Sequence, residues 1–168
     1  MEFDKIQIIS EKKYTFDGLF DVKDTYDYLK EFLEKSRHYV ISERDFAEKN
    51  QGGDREITSI SEAEQEWNDY YKIVLKYQLE LKGKDTKIQV NKKKTVMLSK
   101  GTGTLTINVY IVPDFNKIRP KSPFFDFLDK IYSKFFREDE LEKCKDSAAA
   151  DVDELLNRFK QQMNSILL

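Results

Sequence analysis

Residues 71–82 read YKIVLKYQLELK, and the alternation in that run decides the fold. Tyr71, Ile73, Leu75, Tyr77, Leu79 and Leu81 fall on one parity, and Lys72, Lys76, Gln78, Glu80 and Lys82 on the other, with Val74 the exception. Successive side chains of a strand point to opposite faces, so this run predicts a strand with one face buried. A strand of a doubly covered parallel sheet would be apolar at both parities. Residues 103–112, GTLTINVYIV, repeat the pattern. Leu105, Ile107, Val109 and Ile111 share one side, and Thr104, Thr106, Asn108 and Tyr110 the other. Pro113 lacks an N–H for the ladder and marks the strand end. Between these runs, Ile88 with Val90 and Val96 with Leu98 predict two shorter strands, with turns at Gly83-Lys84-Asp85, Asn91–Lys94 and Lys100-Gly101. Trp67–Pro113 thus reads as an antiparallel meander with one apolar face. A one-residue slip would turn that whole apolar set to water, so its register is strongly specified.

Upstream, Ile6–Tyr14 (extendable to Phe3) reads as a first strand, with Ile6, Ile8, Tyr14 and Phe16 on one parity and Ile9 on the other. Asp21 is a good N-cap. It opens a predicted helix from Val22 to Ser36, whose apolar stripe is Val22, Tyr26, Leu29, Phe32 and Leu33. Tyr39–Ala47 reads as a strand whose alternation is broken, because both faces mix apolar and charged groups. Positions that break a local rule are where function often hides, although a plain edge strand accounts for the pattern as well. Lys49–Asp54 forms a loop pivoting on Gly52-Gly53. Arg55–Glu66 has two readings. Ser61 with Glu64 resembles a capping box and favours a helix, whereas the parity of Trp67, Asp69 and Tyr71 favours a strand paired with the 71–82 run.

Downstream, Ile118–Lys121 is a linker and Ser122-Pro123 opens a helix, with proline at the first position. Phe124, Phe125, Phe127, Leu128, Ile131, Tyr132, Phe135 and Phe136 make that helix, 122–136, apolar around most of its circumference. Such a surface must be covered or will associate. Ser147 opens a last helix running to Leu168, with Ala148, Val152, Leu155, Leu156, Phe159, Met163 and Ile166 at helical spacing. The predicted class is therefore α+β: an antiparallel meander of five or six strands packed against a long C-terminal helix. One domain, 1–168, holds the meander core, 67–113, and a helical part, 122–168.

Composition narrows the chemistry. The chain has 168 residues and a formal net charge of −2, a length that suits one domain able to bury a core without staples. Cys144 is the single cysteine, which excludes internal disulfides and a cysteine metal cage. His38 is the single histidine and is read as structural. No G-x-S-x-G, P-loop or G-x-G-x-x-G run occurs, and no cofactor is expected. Gly101-Thr102-Gly103 is read as a turn. The start, Met1–Lys5, lacks the apolar core of a signal peptide, and no apolar run is long enough to span a membrane. The expectation is a cytoplasmic protein. Lys82–Lys100 holds seven lysines and one acid, Asp85. Without interleaved aromatics, and with a pI near 5.6, it reads as edge protection rather than a nucleic-acid site. Glu43, Arg44 and Asp45 are consecutive, so a regular strand would put two carboxylates on one face about 7 Å apart. That pair is the only candidate for acid–base work.

The element order, on the meander 67–112 and the helix from Ser147, resembles the START-like or helix-grip superfamily (Bet v 1, SRPBCC). One long helix replaces two short ones after the first strand, and the aromatic helix 122–136 is additional. The chain is also similar to uncharacterised archaeal proteins through Tyr14-x-Phe16-x-Gly18 and Arg37-x-Tyr39. The helix-grip resemblance implies a cavity between sheet and last helix. Its walls would be Tyr71, Ile73, Tyr77, Leu79, Leu105, Ile107 and Val109 facing Leu155, Phe159 and Met163, and its occupant an apolar small molecule or lipid. The same large side chains, Tyr71, Tyr77 and Phe159 among them, could fill that space instead. Two other readings stand beside it: a homodimer formed through the aromatic helix, and a hydrolase- or cyclase-like enzyme using Glu43, Arg44 or Asp45.

Overall fold

A computed structural model of the chain describes residues 5–91, 94–113, 123–124, 127 and 138–165. Five strands form one antiparallel sheet in the order β1-β5-β4-β3-β2. They are β1 (Ile6–Phe20), β2 (Val40–Gln51), β3 (Asp54–Glu66), β4 (Tyr71–Asn91) and β5 (Lys94–Pro113). Helix α1 (Val22–Glu31) joins β1 to β2, which lie at opposite edges, so it must cross one face of the sheet. Helix α2 (Glu138–Ser165) packs against β1, β4, β5 and α1 on that same face. This is the α+β architecture expected from the alternation, and it is compatible with a helix grip.

The parity of the 71–82 and 103–112 runs is realised. Ile73 pairs with Ile111, Leu75 with Val109, Tyr77 with Ile107 and Leu79 with Leu105, and all eight are buried. Directly opposed residues of an antiparallel pair share a face, so these make the inner wall that receives α2. Val74, the exception, is buried on the outer face with Val112, outside the main core.

Several boundaries differ from the sequence reading. Gly83 and Gly101 were expected in turns, yet they are opposed partners inside two long strands, with Gly18 of β1 completing the row. A Cβ on Gly101 would collide with the Lys82 carbonyl, and one on Gly83 would come within 3.2 Å of the Phe20 ring. These glycines mark close backbone approach rather than chain reversal. Hence the two short strands merge into β4 and β5. Beyond β1 and β3 these continue as a two-stranded ribbon, from Thr86 opposite Leu98 to Asn91 opposite Lys94. Residues 67–70 turn rather than extend: the Asn68 side chain accepts from the Tyr70 and Tyr71 amides at 2.9 and 2.6 Å. Arg55–Glu66 is a strand, β3. β1 continues past Tyr14 to Phe20, and its register shifts bring Ile9 opposite Val109, onto the inner face. α2 begins at Glu138, not Ser147; Cys144 and Ala148 already lie on its buried side. Of the helix expected at 122–136, Pro123, Phe124 and Phe127 are helical, and the remainder lies outside the described residues.

α1 keeps its predicted cap, Asp21 Oδ1 accepting from the Asp24 amide at 2.9 Å. Its last turn widens to a π-helix over Phe32–Ser36. His38 then takes a φ of 60°, a left-handed conformation that reverses the chain into β2. The reversal is latched to α2. The Tyr39 hydroxyl donates to Asp151 Oδ2 at 2.9 Å, while Arg37 Nε lies 3.4 Å from Asp151 Oδ1. Glu154 accepts from both Arg37 and Arg158, and the Arg37 and Arg158 guanidinium groups lie 5.9 and 4.8 Å from the centre of the buried Phe32 ring. Burial raises the Tyr39 phenol and the Asp151 carboxyl above their ordinary values; for Asp151 the Tyr39 hydrogen bond and Arg37 charge offset only part of the rise.

Candidate functional site: a cleft between α1 and the β2–β3 edge

The ten residues expected to wall a ligand cavity are Tyr71, Ile73, Tyr77, Leu79, Leu105, Ile107, Val109, Leu155, Phe159 and Met163. All are at most 4% exposed and belong to one continuous hydrophobic core. Phe159 is fully buried in it with its ring edge-on to Tyr14, centroids 5.6 Å apart. Four clefts lined by described residues have none of these ten in their walls. The most apolar of those clefts opens at the other end of α1, has a volume of about 380 Å³, and is lined by Val22, Lys23, Tyr26, Glu43, Phe46, Glu48, Arg55 and Ile57.

A bulge in β2 decides which of its side chains line the cleft. Glu43 pairs with Ser61 and Asp45 with Ile60, so Arg44 is the extra residue of a bulge. Before the bulge the inward side chains are Ile41 and Glu43; after it they are Phe46, opposite Ser59, and Glu48, opposite Ile57. The same bulge corrects the expected carboxylate pair: Asp45 shares the outer face with Ile60, while Glu43 faces inward. The outward Arg44 instead lies 3.6 Å from Glu62. The mixed faces of residues 39–47 are thus two in-register half-strands joined by one inserted residue.

β3 makes the floor. Its inward residues include Arg55, Ile57, Ser59, Ser61 and Ala63, the last three small where β4 has Leu79, Tyr77 and Leu75. Tyr26 of α1 fills part of the room: its ring meets Phe46 edge-on at 6.1 Å, and its hydroxyl donates to Glu43 Oε1 at 2.6 Å. Burial and then the Glu43 bond push the Tyr26 phenol above its ordinary range, with the Ser59 hydroxyl opposing part of the rise. Tyr77, whose neighbour across the ladder is Ser61, is pushed up to about 12, chiefly by burial. Among the described residues three buried side-chain polar atoms lack a hydrogen-bond partner: Arg55 Nε, Ser59 Oγ and Ser61 Oγ. All three lie on the inner face of this one strand.

The outer face has a different character. Lys72 and Lys82 of β4 stand 3.3 and 3.6 Å from Glu64 and Glu56 of β3. Cross-strand pairs of this kind suit a solvated surface, whereas Val74 and Val112 are buried on the same face. Among the described residues no group of three or more His, Cys, Asp or Glu side chains could hold a metal ion, and no helix is long and apolar enough to cross a membrane. The buried Cys144 thiol is pushed up to about 11 by desolvation, the reverse of what a nucleophile needs. The chain matches no protein-family model, no curated protein and no solved structure.

Proposed function

We propose that this chain is a START-like module that binds an apolar small molecule or lipid without transforming it, and that the ligand enters the cleft between α1 and the β2–β3 edge. The observation that carries the reading is the wall formed by Val22, Tyr26, Phe46 and Ile57 around a volume of about 380 Å³. That volume lies in the range of small-molecule sites, and mostly apolar walls with a few converging polar groups are their usual form. The site differs from the one the helix-grip resemblance implies. It uses the first helix and the sheet edge rather than the last helix. Native mass spectrometry of freshly purified protein, followed by thermal shift with a panel of apolar small molecules, tests the reading. A carried ligand, or a panel member that raises the Tm and is displaced by Phe46→Arg, supports it. A protein that carries nothing and responds to no panel member counts against it.

A second reading is self-association, favoured by Phe124 and Phe127, which are 65% and 59% exposed. Light scattering over a concentration series checks it: a strict monomer at high micromolar concentration removes the simplest form.

A further inference from the structure

The geometry points to an apolar carboxylic acid as the ligand of the α1/β2–β3 cleft, its carboxylate held by Arg55. This rests on the cleft reading above and adds the headgroup. Arg55 stands in the cleft wall two residues from Ile57, on the same face of β3. Its Nε is buried and has no hydrogen-bond partner. The nearest carboxylates, Glu48 at 3.7 Å and Asp85 at 4.0 Å, balance its charge but stand outside hydrogen-bond range. A guanidinium presents a planar fork that a carboxylate can accept at two oxygens. An unmet buried donor at the rim of an apolar cleft therefore selects a ligand acceptor, and an anion best of all. Lys23, on the first turn of α1, stands in the same wall, and with Arg55 it offsets the Glu43 and Glu48 carboxylates that also line the cleft.

The opposite headgroup, an ammonium held by Glu43 beside the Tyr26 and Phe46 rings, is less well served. The Glu43 carboxylate already accepts from the Tyr26 hydroxyl at 2.6 Å, whereas Arg55 Nε makes no hydrogen bond.

The test is a matched headgroup series. Decanoate, 1-decanol and decylammonium, each below its micelle concentration at neutral pH, are titrated calorimetrically into the wild type, Arg55→Gln and Arg55→Lys. The wild type is expected to bind decanoate at least about tenfold more tightly than decanol, the scale of one charge-assisted bidentate contact, and decylammonium least. Arg55→Gln should bring decanoate to the affinity of decanol while leaving decanol unchanged. Arg55→Lys, which keeps the charge and loses the fork, should recover part of the preference. Equal binding of decanoate and decanol by the wild type overturns the inference but leaves the cleft reading standing, and so does a preference for decylammonium. A preference for decanoate that survives Arg55→Gln moves the anion site elsewhere and equally overturns it. If none of the three binds, the cleft reading fails and this inference fails with it. Circular dichroism establishes that each variant is folded; should Arg55→Gln unfold, the wild-type order and Arg55→Lys decide.

Discussion

Under α2 the sheet offers Ile73, Leu75, Leu105 and Ile107, all fully buried. Beyond it on the same face, β3 offers Ser59, Ser61 and Ala63, and β2 offers Glu43, Phe46 and Glu48. The first region is a packed interior whose inward residues along Tyr71–Leu81 and Leu105–Ile111 are large and apolar. The second is half open, roofed by the N-terminal part of α1, with small and polar groups where the first has leucines. Both are antiparallel pairings, so the type of ladder does not separate them. Side-chain volume and one inserted residue do. One half of the sheet stabilises the fold; the other leaves space and unmet polar atoms, which is what a binding site requires.

The sharpest way to test that contrast is to remove volume from the packed half. Phe159→Ala should cost about 3–5 kcal/mol, read by urea denaturation with a sizing measurement alongside. A loss under about 0.5 kcal/mol, the scale of surface sites, would mean that the packed half contributes far less than its burial implies. Next comes the latch between the halves. Tyr39→Phe removes the hydroxyl that Asp151 accepts and should cost about 1–3 kcal/mol, because a buried acceptor loses a partner. A neutral result would make Arg37 sufficient for Asp151.

In the open half the expected balance is reversed. Phe46 is 46% exposed, so Phe46→Ala should change stability by less than about 0.5 kcal/mol while weakening decanoate binding about tenfold, or about 1.4 kcal/mol. Deleting Arg44 should be tolerated about as well. Without the inserted residue, Glu43 and Phe46 fall two apart and keep their common inward face, at the loss of one exposed ion pair worth about 0–1 kcal/mol. Retained decanoate affinity in the deletion variant checks the bulge assignment; loss of binding with the fold intact would refute it.

The smallest effect is one of pH. Asp151 has a raised pKa because of its burial, so the folded state holds this proton more tightly than the unfolded chain does. Its contribution to stability therefore falls as pH rises from the ordinary carboxylate range through the raised folded value. Asp151→Asn keeps an acceptor for Tyr39 and removes the titration. Compared with the wild type, its denaturation midpoint should lose that downward component across mildly acidic pH; an unchanged slope would show that Asp151 does not titrate there.

Much of the packed half was legible in the sequence. Period-two alternation through Tyr71–Leu81 and Leu105–Ile111 fixed the inner face residue by residue, and the stripe through Leu155, Phe159 and Met163 identified its cover. The earlier start of α2 was missed because Glu138–Asp146 is so highly charged. Leu141, Cys144 and Ala148 at helical spacing were the signal. Gly83 and Gly101 misled because glycine serves both reversal and close approach, and only their pairing across β4 and β5 distinguishes the two. The cleft was the least legible part. A bulge shifts parity at a point that no residue type announces, so Glu43 and Phe46 read as opposite faces until the partner strand is known. The broken alternation of residues 39–47 marked the place of the bulge, and that bulge separates the carboxylate pair read there. Arg55 carried no signal of its own, since it lies next to a loop where arginine is unremarked.

The strand order also constrains the sequence of events in folding. β1 is made first, yet its one partner in the sheet is β5: Thr15 and Thr104 are 89 residues apart, and Glu11 meets Asn108 across 97. Strands β2 to β5, by contrast, follow one another as successive hairpins. Loop-closure entropy favours the short hairpins over the long β1–β5 closure. During synthesis Phe16 and Phe20 must therefore wait, uncovered, for a strand still inside the ribosome. Pulse-labelled hydrogen exchange on refolding should find the β3–β4 amides protected before those of β1. A nascent chain arrested before β5 should present its N-terminal segment to chaperones.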